Sequence, residues 1–79
     1  MPCDHVGPHE IITMAEERLR ESGRSPAPGM KFRWAENHDG FFAAAITEIE
    51  RRDDTWIVTR LDRLREPLPQ EACGLIEIA

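Results

Sequence analysis

With 79 residues, 41% of them apolar and 32% charged, the chain has the composition of a folded protein and the length of one domain with one modest core. Its net charge of −5 is spread along the sequence, about −2 over residues 1–25, zero over 26–52 and −3 over 53–79, so no basic arm offers the electrostatic footprint of a nucleic-acid binder. No apolar run approaches the roughly 20 residues that span a bilayer, and the N-terminus lacks the basic-then-apolar layout of a secretion signal, which makes the cytoplasm the expected compartment and excludes a membrane partner.

The first seven residues are expected to be flexible, as chain ends without tethers are. They hold Cys3 and His5, which with His9 form the one local group of zinc-type ligands; His38 or Cys73 would have to complete a tetrahedron. The spacing matches no standard zinc motif, and a solvated N-terminus is the competing reading. In a reducing compartment Cys3 and Cys73 are expected as free thiols.

Pro8 suits a first helical turn, and Ile11, Ile12, Ala15, Leu19 and Ser22 then recur at the three-and-four spacing of one helical face. The spacing predicts an amphipathic helix over His9 to Ser22, stopped by Gly23. Glu16, Glu17, Arg20 and Glu21 occupy its solvent side. Two prolines and a glycine between Arg24 and Gly29 make that stretch a connector, since neither helix nor central strand runs through them.

From Met30 the period changes to two, with Met30, Phe32 and Trp34 alternating with Lys31, Arg33 and Ala35. A turn at Asn37-His38-Asp39-Gly40 leads to a second strand from about Phe41 to Arg51. Asp53-Asp54 makes the next turn, a third strand runs from Thr55 to about Leu64, and Gly74 to Ile78 forms a short last one. The fold class is thus α+β, an N-terminal helix packed on a three- to four-stranded antiparallel β-meander.

Register follows from turn length, because a one-residue slip reverses every face. Met30, Phe32, Trp34, Ala43, Ala45, Ile49, Trp56 and Val58 share the face that should receive the helix, with Trp34 at its core. Phe42, Ala44, Ile46, Ile57 and Leu61 fall on the other, Ile46 opposite Leu61 and Phe42 opposite Arg65. This second face is apolar at its centre and is the candidate surface for a protein partner or a second copy, unless Leu75-Ile76-Glu77-Ile78 folds back over it. Strict alternation would also turn Arg60 and Asp62 toward the helix, a costly placement that a bulge near Thr59 would relieve.

No catalytic signature accompanies these elements: there is no Gly-x-Ser-x-Gly elbow, no phosphate-cradling glycine loop and no His-Glu-x-x-His helix. Cys3 or Cys73 with His9 or His38 are the pairs that could be imagined as nucleophile and base. Phe32, Trp34, Phe41, Phe42 and Trp56 could stack bases beside Lys31, Arg33 and Arg63, but their alternation points to core packing first.

Asp53-Asp54-Thr55-Trp56-Ile57-Val58-Thr59, the arginine-rich strand after it, Leu68-Pro69 and Leu75-Ile76-Glu77-Ile78 together resemble the core of gas vesicle accessory proteins of the O type. In that family too a helix ends in a Gly-x-x-Pro connector, here Gly23 to Pro26, before an Asp-Gly-Trp-type turn and strand. This chain has Thr55 where the family favours glycine and adds the strand from Met30 to Glu36. The resemblance implies a non-catalytic assembly role for about residues 9 to 78. The expected function is therefore a non-enzymatic interaction or assembly module without a cofactor. A small zinc- or thiol-dependent protein built on Cys3, His5 and His9 is the alternative.

Overall fold

Proline at the first helical position and glycine just past the last one set the ends of α1 (Pro8–Glu21). The Gly7 carbonyl accepts the first turn's N–H groups from Glu10 and Ile11, both at 3.1 Å. At the other end Gly23, at φ 73°, takes the left-handed conformation that lets its N–H donate to Arg20 (3.0 Å) and that of Arg24 donate to Leu19 (2.8 Å). Ile11, Ala15 and Leu19, four residues apart, are fully buried. Ser22 lies beyond the last turn, exposed, and its hydroxyl donates back to Leu19 (3.0 Å). These elements come from a computed structural model that describes residues 6–78.

The connector closes with a type II turn in which Pro28 fixes the second position, Gly29 (φ 91°) supplies the third, and the Met30 N–H donates to Ala27 (3.2 Å). Four antiparallel strands follow: β1 (Lys31–Asn37), β2 (Ala44–Arg52), β3 (Thr55–Leu64) and β4 (Gly74–Ile78). The first three form the expected meander. The fourth returns to pair with β1 on its free side, giving the order β3-β2-β1-β4, the Greek-key arrangement. Leu75-Ile76-Glu77-Ile78 is therefore an edge strand and does not fold back over the second face. No helix among the described residues is long and apolar enough to cross a membrane.

The helix packs on the face predicted for it, where Phe32, Ile49, Trp56 and Leu75 meet Ile11, Ala15 and Leu19 in one cluster. Phe32 is its centre, fully buried, with the Trp56 ring edge-on at 5.9 Å. Trp34 is displaced from that role: it sits half-buried against the cluster with Val6, Ile12, Met14 and Met30. Val6, the first described residue, is the part of the N-terminal stretch that touches this cluster. Side chains on the helix rim secure it at both flanks. Glu16 accepts from the Trp56 indole (3.2 Å) and lies 3.9 Å from Arg51, while Arg18 donates to the Leu75 carbonyl (3.1 Å).

The bulge falls where the alternation required one. Ile49 pairs with Val58 and Glu48 with Arg60, so Thr59 is the unpaired extra residue. Arg60 and Asp62 consequently leave the helix side for the outer face. The same extra residue moves Leu61 the other way, opposite Thr47 on the helix side, which corrects its predicted facing. The second strand also starts later than expected, at Ala44, because His38 N–H bonds to Ala43 (2.8 Å) and leaves Phe41 and Phe42 in the loop.

Candidate functional site

The five residues predicted to form a partner surface do not share one face. Ala44, Ile46 and Ile57 lie on the outer face, Ala44 opposite Leu64 and Ile46 opposite Asp62, one position away from the predicted Ile46–Leu61 pairing. Ala44 is fully buried there, at the end where Asn37 holds the connector between β3 and β4 by two hydrogen bonds to Leu68 (3.0 and 2.8 Å). The β2–β3 half of this face carries charges, while on its β4 side Ile76, opposite Arg33, is 43% exposed. Arg60 bonds Glu48 (3.1 Å) and Asp62 (2.6 Å), and Arg52 lies 3.7 Å from Glu50. Ile46 and Ile57 are half-buried beside these pairs, so a solvated network of charges borders the centre expected to be apolar on its β3 side.

Leu61 and Phe42 stand on the helix side. A helix about 10 Å across covers only two or three strands spaced about 4.8 Å apart. Here it covers β1, β2 and β4, and β3 contributes only Trp56 to the core. Val58 (44% exposed) and Leu61 (56% exposed) are left uncovered. Phe41 is fully exposed in the adjoining loop.

Between this strip and the start of α1 runs a groove of about 80 Å³ lined by Val6, Pro8, Phe42, Thr47, Leu61 and Arg63. Arg63 lies over the Phe42 ring at 5.4 Å, and the His38 ring is tilted 54° to the same ring with centroids 4.6 Å apart. Glu36, buried at the groove's floor, pairs with His38 at 3.2 Å. Phe42 does not face Arg65 across a strand pair, since it precedes β2.

The two sheet edges differ. At β4, five residues long, Arg24 grips Glu77 through two hydrogen bonds (3.2 and 2.7 Å), which holds the Glu77 carboxyl below its usual range. β3 is ten residues long and is flanked on one side only among the described residues.

Of the proposed zinc ligands, Cys3 and His5 lie outside the described residues, and His9 is exposed in the first turn of α1. Among the described residues no three His, Cys, Asp or Glu side chains stand close enough to hold a metal ion. Cys73 is a free thiol beside a cleft of about 300 Å³ whose other lining includes Trp34, Asn37 and Gln70, and its Sγ donates to the Pro69 carbonyl (3.7 Å).

The exposure of Val58 is not visible in its alternation. Alternation places Val58 on the face that receives the helix, but does not say how far the helix reaches across it. Helix width against sheet width is the signal that would have found it. In comparisons with known proteins the chain matches no family model, no curated protein and no solved structure.

Proposed function

We propose that this protein is a non-enzymatic interaction or assembly module that engages a protein partner along the uncovered strip of β3. The observation that supports this reading is the exposure of Val58 (44%) and Leu61 (56%) side by side on an otherwise covered face, next to a long strand edge with no neighbour among the described residues. The resemblance to gas vesicle accessory proteins of the O type favours the same kind of role. A cytoplasmic setting fits the free thiol of Cys73.

Leu61→Asp tests it. The side chain already faces solvent, so the variant should keep the wild-type circular dichroism and thermal midpoint. Cross-linking in an extract of the native host should then show a complex with the wild type that is lost with the variant. Equal complex formation by both would remove β3 as the contact surface.

A further inference from the structure

We infer that the β3 edge pairs with the β3 edge of a second copy of this chain, antiparallel about a two-fold axis at Leu61, joining two sheets into one. The inference rests on the interaction reading above and names its partner. The choice of edge comes first. β4 is short, and Arg18 and Arg24 of the helix side bond to Leu75 and Glu77 along it, whereas β3 presents ten residues without such cover among the described residues. A long, open edge is a template for another strand.

The choice of register follows from the charges. A two-fold axis perpendicular to the sheet sets only same-face residues opposite one another and makes each contact occur twice. Before the bulge, Trp56 is already committed to the core at 9% exposure, and an axis through Val58 would set the bulge residue Thr59 against Ile57 of the other copy; the exposed leucine lies after the bulge. In that second half the axis can pass through Arg60, Leu61, Asp62, Arg63 or Leu64, and at Leu64 it would set Arg63 against Arg65 of the other copy. Centring on any of the three charged residues sets it against its own copy, and like charges directly opposite are destabilising. Centring on Leu61 instead joins two 56%-exposed leucines on the helix side.

On the outer side the same register sets Arg60 against the partner's Asp62, twice by symmetry. Arg60 and Asp62 are adjacent on that face, 2.6 Å apart, with Glu48 3.1 Å from the guanidinium. In the free chain they neutralise each other; across the axis they extend the row Glu48–Arg60 by one more carboxylate. The charges that make other registers costly thus favour this one.

Two charge reversals test the pairing. Asp62→Arg sets arginine against Arg60, and Arg60→Asp sets aspartate against Asp62, so each variant should remain folded by circular dichroism and associate roughly tenfold or more weakly than wild type in sedimentation velocity. Mixed in equal amounts they should form a one-to-one heterodimer, because one chain then presents only arginines and the other only aspartates. A mixture that stays monomeric, or a folded variant that self-associates like wild type, overturns the register. If Arg60→Asp fails to fold beside Glu48, hydrogen exchange of the wild type decides: amides of Arg60 to Leu64 should exchange more slowly at high than at low protein concentration. Exchange independent of concentration overturns self-pairing. In that case a complex in host extract that Leu61→Asp abolishes would still uphold the interaction reading, and its absence would remove both.

Discussion

Phe32 and Trp34 show how much a two-residue step along a strand changes. Both point to the helix, and both were expected in the core; Phe32 lies beneath Ile11, Ala15 and Leu19, whereas Trp34 packs against the rim. Alternation fixes which side a residue faces, but the helix axis decides which of the inward residues it covers, and no local pattern encodes that axis. Phe32→Ala should therefore cost about 3–5 kcal/mol, a large part of the stability available to a domain of this size. Trp34→Ala should cost roughly half as much, because its ring already keeps some contact with water. Urea unfolding followed by circular dichroism compares them directly, and an equal loss for the two would place the centre of the core at Trp34.

At the level of elements, the helix and three strands were legible because each carries its own period and its own stop: Gly23 after the helix, Pro28-Gly29 before β1, Asp53-Asp54 between β2 and β3. Asp53 takes φ 53° at that last turn, a conformation aspartate tolerates better than most residues. The bulge was legible from the cost of turning Arg60 and Asp62 inward. Its second consequence, the transfer of Leu61 to the helix side, follows from the same count but reverses the partner surface drawn from the sequence. Thr59 is the spare residue in this arrangement, held by one long hydrogen bond from its hydroxyl to Glu48 (3.4 Å). Deleting it should leave Val58 opposite Ile49 and Arg60 opposite Glu48, and cost no more than about 1 kcal/mol. Deleting Thr47 from β2, which has no spare residue, reverses the faces of everything on one side of it and should abolish folding. Thermal melts of the two deletions check the bulge, and comparable losses would show that Thr59 is not surplus.

For the whole molecule, the element that the sequence left unplaced is β4, and the reason is physical. A hairpin strand is positioned by its turn, but a strand that returns across the sheet is positioned by contacts distant in sequence. Here the contacts are Leu75 in the core, Arg18 on the Leu75 carbonyl, Arg24 on Glu77, and Asn37 on Leu68. Asn37 occupies the last position of β1, past the end of β4, and its side-chain amide both donates to and accepts from the Leu68 backbone, as a neighbouring strand would. The connector is thereby held at the end of the outer face where Ala35 and Ala44 are buried. Asn37→Ala removes both bonds and leaves the Leu68 N–H and carbonyl to find water, a loss of about 1–3 kcal/mol. The loss should fall unevenly. β1 and β2 keep their pairing and the helix above them, while β4 depends on the connector to be delivered to β1. Amide hydrogen exchange in the variant should therefore speed up most in Gly74 to Ile78 and least in Phe32 and Ile49, the signature of a local opening. Uniform acceleration through all four strands would instead mean that β4 and the meander open as one cooperative unit, and that Asn37 stabilises the fold without governing how its last strand is held.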